Sequence, residues 1–221
     1  MSTPAPLHIA FVSDVVCPWC AIGLNALQIA LDRLGPALGP VTLVFEPFQL
    51  NPDMPPEGED ITEHLSRKYG LSAEQVASNQ AAIRERAAAV GFDFRIDRRS
   101  RTWNTFDAHR LLHAAGLQGA SVQLALKRGL LAAYFTRGDN PAAVEVLQRE
   151  GRLAGLDDAT LSDVLGSDRH ADEVRARLAL WRRAGLTSVP SVVVNQRHLI
   201  QGGQPPEVFE QALRQIVASA A

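Results

Sequence analysis

Apolar residues in this chain fall into two kinds of run, and the order of the runs carries information. Leu7-His8-Ile9-Ala10-Phe11-Val12 is short and nearly continuous, which predicts a buried first strand. Residues 18–34 switch to helical spacing, with Leu27, Ala30, Leu31 and Leu34 recurring, and Gly35-Pro36 predicts the stop. Residues 41–45, Val-Thr-Leu-Val-Phe, predict a second strand rich in β-branched residues. A strand, a helix and a strand in this order need a crossover and favour a parallel pair.

From about residue 60 to 184 the period stays helical and no strand is predicted. Asp60 with Glu63 marks a capped start, and Ser72 with Gln75 fits a capping box; Gly70 and Gly91 predict the two stops. Further helices are expected near 105–115, 121–135, 141–154, 158–165 and 169–184, with Gly116, Gly155, Gly166 and Gly185 at their ends. The β pattern then returns. Residues 191–194 and 198–201 predict an antiparallel pair around an Asn195-Gln196-Arg197 turn. Gly202-Gly203 breaks it, and Pro205-Pro206-Glu207 opens a last helix with Phe209, Ala212, Leu213, Ile216 and Val217 on one face. The order β-α-β, helices, β-β-α predicts an α/β domain formed by residues 1–50 and 187–221. Residues 51–186 are inserted into it as a helical domain.

Composition narrows the function classes. With 46% hydrophobic and 21% charged residues over 221 positions, the chain reads as globular. A net charge of −2 builds no field that would recruit nucleic acid or an anionic membrane. No basic segment precedes an apolar one at the N-terminus, and no apolar run approaches the length of a membrane span, so a cytoplasmic location is expected. The only two cysteines are Cys17 and Cys20, which excludes a structural disulfide framework. A disulfide across so short a loop would restrain little of the unfolded chain. A Cys17–Cys20 pair therefore points to electron exchange.

Cys17-Pro18-Trp19-Cys20 stands where the first strand feeds the first helix. Free backbone N–H groups and the helix dipole favour an anion at a helix N-terminus, and thiolate is the attacking species. Pro18 suits the first turn, where its missing N–H would have been unpaired anyway. Cys17 is expected to be the exposed attacking sulfur and Cys20, one turn on, the buried resolving one. A zinc pair is the main competing reading of Cys-x-x-Cys. It needs two more ligands. No third cysteine exists, His109 and His113 are far away in the helical block, and no metal is predicted. Thr187-Ser188-Val189-Pro190-Ser191, directly before a strand, fits a cis X-Pro turn. In this element order the turn brings Pro190 beside the sulfurs and leaves the Val189 backbone free to pair with an extended substrate.

With these signals in place, the chain resembles the DsbA-like branch of the thioredoxin superfamily, in particular the FrnE-like oxidoreductases. The segments that carry the likeness are 13–23 (Ser-Asp-Val-Val-Cys-Pro-Trp-Cys-Ala-Ile-Gly), 48–58 (Phe-Gln-Leu-Asn-Pro-Asp-Met-Pro-Pro-Glu-Gly) and 104–112 (Asn-Thr-Phe-Asp-Ala-His-Arg-Leu-Leu). Ala-Tyr-Phe at 133–135, Ala-Gly-Leu-Asp at 154–157, Ser-Val-Pro at 188–190 and Gly-Gly-Gln-Pro at 202–205 add to it. The resemblance implies a thioredoxin-like fold with a large all-helical insertion and an active site in the groove between them. It implies Cys17 as nucleophile, Cys20 as resolving cysteine and Pro190 as the cis proline. Kappa-class glutathione transferases and 2-hydroxychromene-2-carboxylate isomerases are similar in fold, but they typically carry serine where Cys17 stands. The two cysteines therefore favour dithiol chemistry, whereas the helical block and Asn51-Pro52 keep glutathione open as a co-substrate.

The remaining candidates are weaker. Asp14 could take a proton from the buried thiol through water, or cap a turn. Trp19 could touch substrate or pack on the helical block. Trp103, Asn104 and His109 are candidates for the groove, with helix start and core packing as the alternative, and Asn51 is a further candidate through the glutathione reading. Tyr134 and Phe135 read as core. Arg95, Arg98, Arg99 and Arg101 read as a solvated cluster able to steer an acidic substrate or glutathione. The expected partner is a thiol- or disulfide-containing protein or small molecule, with no nucleic acid or membrane, and an oligomer is left open. Three function classes follow: a thiol–disulfide oxidoreductase or isomerase, a glutathione-dependent isomerase or transferase, and a non-catalytic peptide-binding or chaperone-like module.

Overall fold

The structure is a computed structural model that describes residues 6–220. Strand β1 (Leu7–Ser13) leads into helix α1 (Pro18–Leu34), and β2 (Val41–Pro47) returns parallel to β1, from Leu7 opposite Val41 to Ser13 opposite Pro47. Gly35-Pro36 does not simply stop the helix; the chain tightens there into a 3-10 turn, Gly35–Leu38. After the insertion, β5 (Ser191–Val194) and β6 (His198–Gln201) form the expected hairpin, and α9 (Pro206–Ala220) packs on α1. Asn195 and Gln196 both take positive φ, the mirror-image turn that suits two twisted strands. The sheet order is β2-β1-β5-β6, with β5 antiparallel to β1. β1 is thus central, and Ile9, Phe11 and Val12 are fully buried.

The insertion contains β3 (Glu59–Asp60), α2 (Ile61–Tyr69), α3 (Ala73–Ala89), β4 (Arg101–Thr102), α4 (Phe106–Gln118), α5 (Ala120–Ala132), α6 (Val144–Ala154), α7 (Asp158–Gly166) and α8 (Ala171–Arg183). Asp60 caps α2 by accepting from Thr62 N and Glu63 N, at 2.8 and 3.0 Å. The Ser72–Gln75 capping box opens α3. Three expectations need correction. β3 and β4 pair antiparallel inside the region read as wholly helical; two residues each are too few to show a period. Gly116 does not end α4. A Cβ there would meet Gln123 Nε2 at 2.8 Å, so the glycine serves the close crossing of α4 and α5, and the stop falls at Gly119. The helix expected from Pro141 begins at Val144, because the Asn140 side chain holds Ala142 N in a turn at 2.8 Å.

The insertion docks on the edge strand: α4, α5 and α8 all pack against β2. Gln123 of α5 acts there as a substitute strand. Its Oε1 accepts from Phe45 N at 2.9 Å, and its Nε2 donates to Phe45 O at 3.0 Å and to Leu112 O at 3.1 Å. Trp181 Nε1 donates to Glu46 Oε2 at 3.1 Å, and Arg177 grips the same carboxylate. One contiguous apolar cluster runs from β1, α1 and β2 into α4, α5, α6 and α7. Among the described residues, no helix is long and apolar enough to cross a membrane.

Candidate active site

The β1–α1 turn builds the site. Cys17 is the residue immediately before α1, with extended backbone (φ −91°, ψ 115°), and Pro18 occupies the first turn. Cys20 N donates to Cys17 O at 3.1 Å, which winds that turn and puts both sulfurs at its N-terminal end. Both cysteines are free thiols. The Val189–Pro190 peptide is cis, and the Cys17 thiol lies 3.6 Å from Val189 O. The Pro190 ring packs over Gly23 on the next turn of α1, and Pro190 O accepts from Gly202 N at 2.8 Å. Gly203 comes so close to the motif that a Cβ on it would stand 2.9 Å from Trp19 O. Cys20 is fully buried, and Cys17 is only 4% exposed rather than the open sulfur expected, because the chain at Val189–Pro190 comes down beside it. Trp19, 37% exposed, is the open member of the motif, with the Arg86 guanidinium over its ring.

Beneath the sulfurs lies a buried polar layer. Asp14 Oδ2 accepts from Leu50 N at 2.8 Å, and Oδ1 accepts weakly from Val16 N at 3.5 Å. His109 Nε2 donates to Phe48 O at 3.0 Å and also sits 3.5 Å from Asp14 Oδ1. His109 is therefore a buried residue. Burial alone would push the Asp14 carboxyl up, but His109, the Leu50 N–H and the Lys127 charge outweigh it and hold it below its ordinary value. Burial, then Cys17, pushes the Cys20 thiol well above the usual thiol range. Lys127 of α5 is fully buried and lies within electrostatic reach of Asp14, Cys17 and Cys20.

The other candidates tie neighbouring loops and helices together. Asn51 Oδ1 accepts from Lys68 Nζ at 2.7 Å and lies 3.1 Å from His64 Nε2. Asn104 is fully engaged in the 48–58 loop. Its Oδ1 accepts from Gln49 Nε2 at 3.2 Å and from Phe106 N at 2.9 Å, and its Nδ2 donates to Pro52 O and Met54 O at 3.2 Å. Trp103 packs against Gly58 under the Arg101 guanidinium. His113 stands against the His170 ring, 4.9 Å between centroids. Tyr134 and Phe135 are core, as expected. The arginine cluster is not wholly solvated: Arg99 is buried, its flat guanidinium lying over Phe94, Tyr134 and Phe135. Arg99 and Lys68 both lie within electrostatic reach of Cys17. Sequence reading missed Lys68 and Lys127. A signal for Lys127 existed: it falls among Leu126, Leu130 and Leu131 on the buried side of its helix.

A family model described as a DSBA-like thioredoxin domain matches residues 8–214. A probable DsbA oxidoreductase from Streptomyces coelicolor, of known crystal structure, is 32% identical; the match covers 97% of this chain and 91% of that one, with a TM-score of 0.88. The uncharacterised protein YwbO of Bacillus subtilis is 24% identical over 208 residues, covering 94% of this chain and 96% of that protein. The cytosolic disulfide reductase DsbM from Pseudomonas aeruginosa, solved with GSH, shares the fold at 17% identity and a TM-score of 0.62, over 96% of this chain and 98% of that one. With its mixed sheet, helical insertion and dithiol turn, the chain belongs to the DSBA-like thioredoxin domain family.

Proposed function

We propose that this chain catalyses thiol–disulfide exchange on a protein or small-molecule substrate, with Cys17 as nucleophile and Cys20 as resolving cysteine. The observation that carries the reading is the placement of Cys17. It stands at the N-terminus of α1, its sulfur 3.6 Å from the carbonyl before Pro190, with Cys20 buried one turn on. The helix N-terminus favours the thiolate, and the Val189 backbone offers an extended substrate a partner. In the reducing direction the Cys17 thiolate attacks a substrate disulfide, forming a mixed disulfide and releasing one substrate thiolate. Cys20, deprotonated, then attacks Cys17, closing Cys17–Cys20 and releasing the second thiolate. The oxidising direction runs the same steps backwards.

Exposed Lys68, within electrostatic reach of Cys17, suits a substrate that carries a carboxylate. That favours glutathione as co-substrate, the ligand in the DsbM structure of the same fold. Work in the cytoplasm is part of the same reading.

A glutathione redox titration, read by thiol alkylation and mass, tests it. Cys17 and Cys20 are expected to titrate together as one two-electron couple. A potential at or above about −200 mV marks an oxidant or isomerase, and one near about −270 mV a reductase. Cys17→Ser is expected to abolish exchange, and Cys20→Ser to accumulate mixed disulfides. An intact exchange rate in Cys17→Ser overturns the assignment.

A further inference from the structure

The exchange reaction leaves one problem unsolved, and the solution rests on the reading just given. Cys20 must lose its proton before it can attack, yet it is fully buried, and burial pushes its thiol well above the usual range. While a substrate is bound to Cys17, the front of the site is covered by that substrate. The proton needs a base and a way out on another side.

Lys127 of α5, within electrostatic reach of both sulfurs, and the cavity it lines can supply the two. Lys127 is fully buried, and its Nζ has no hydrogen-bond partner among the described residues. A buried amine without a partner is costly to keep, so it calls for an explanation. Lys127 also lines a cavity of about 310 Å³ together with His109, Gln123, Glu46, His113 and Arg177. Exposed Leu117 is part of the same lining, which carries the cavity to the surface on the β2 side of the molecule. The space is roomy and polar enough to hold water that bridges buried groups. Burial pushes the Lys127 amine down while it pushes the Cys20 thiol up, so the two are driven towards each other.

We propose that Lys127 is the proton acceptor for the resolving cysteine, reached through water, and that the cavity behind it is the proton's exit. Cys20–SH gives its proton to the neutral Lys127 amine. The Cys20 thiolate attacks the Cys17 sulfur of the mixed disulfide, the Cys17–substrate S–S bond breaks, and the substrate leaves as thiolate with the electron pair. The Lys127 ammonium then passes its proton through cavity water to solvent. In the oxidising direction the ammonium returns the proton to Cys20. The charged and titratable groups facing Lys127 are few. Asp14 stands at the end of β1, Cys17 and Cys20 at the start of α1, and His109 and His113 on α4. Glu46 on β2 and Arg177 on α8 face it across the cavity. On the neighbouring α6, Glu150 is turned to Arg137 and Arg149.

The test separates the two exchange steps. Reduced protein is mixed rapidly with glutathione disulfide, quenched in acid, alkylated and weighed, so that the mixed disulfide and the closed Cys17–Cys20 form are counted separately. In Lys127→Met the first step is expected to be unchanged and the resolving step to slow by about 10² or more. The wild-type advantage should shrink as rising pH lets hydroxide do the same work. Lys127→Arg keeps the positive charge but cannot act as a base, and it should be as slow as Lys127→Met. Wild-type resolution should show a solvent deuterium isotope effect that the first step lacks, a measurement that needs no variant. Wild-type resolution rates in Lys127→Met, rescue by Lys127→Arg, or no isotope effect on resolution would each overturn the relay. Failure of the wild type itself to close Cys17–Cys20 would instead overturn the exchange reading.

Discussion

Asp14 is the residue at which burial and hydrogen bonding most plainly oppose each other. Its carboxyl is fully buried, which alone raises its pKa, yet His109, Leu50 N–H and the charge of Lys127 leave it below the ordinary 3.8. A carboxyl whose pKa falls on folding stabilises the fold fully above its unfolded value, and that stability is lost as pH drops through the folded value. Asp14→Asn is therefore expected to cost on the order of 2 kcal/mol at pH 7, or about 4–8 °C in Tm for a chain of this size. The gap between the two proteins should narrow as pH falls below about 4. Thermal melts of both between pH 7 and pH 3 check it. A gap that stays constant would mean that the charge of Asp14 contributes nothing. Asp14 could be singled out in the sequence because it lies three residues before Cys17. Lys68 could not, Lys127 shows only as a charge on the apolar side of its helix and Arg99 only as one of a cluster, because all three come near the cysteines only in three dimensions.

Elements announced by local chemistry were legible. The Asp60 cap, the Ser72–Gln75 box and the Asn195-Gln196 turn each satisfy backbone groups within a few residues, so the sequence alone carries them. Elements set by partners far away were not. Gly116 looked like a helix stop, but its role is to let Gln123 pass, and Gln123 in turn completes the edge of β2. That edge yields a sharp expectation. Gln123→Leu fills similar space but leaves Phe45 N and Phe45 O unpaired in a buried place. The cost should be about 2–3 kcal/mol, read as a lower urea midpoint with an unchanged slope. Faster amide exchange at Phe45 should accompany it. A variant as stable as wild type would mean that water or a shifted helix replaces the amide, and that Gln123 does not hold the insertion to the sheet.

At the scale of the molecule, the order of elements reveals an insertion but not how firmly it is joined. The periodicity divides the chain into residues 1–50 with 187–221 and residues 51–186, and each half could be pictured as a separate domain. The apolar cluster crosses that division without a gap, from Ile9, Phe11 and Leu27 to Leu111, Leu126 and Leu147. Glu46 on the sheet edge is held by Arg177 and Trp181, and Phe45 by Gln123, so the apolar contact is framed by polar ones, half-buried at Glu46 and buried at Phe45. Breaking such a seam exposes core on both sides, which makes partial unfolding expensive. The chain is therefore expected to unfold in one transition. Trp19 reports on the dithiol turn, and Trp103 and Trp181 report on the insertion. Tryptophan fluorescence and far-UV circular dichroism should then give the same urea midpoint, including in single-tryptophan variants. Residues 51–186 expressed alone should show no cooperative transition, since their largest apolar face would lie open. Two separated midpoints, or a cooperative fold of 51–186 alone, would mean that the groove joins two independent bodies. Lys127 and Cys20, which come from opposite sides of the seam, would then not be held in fixed register, so this result also bears on the proton relay.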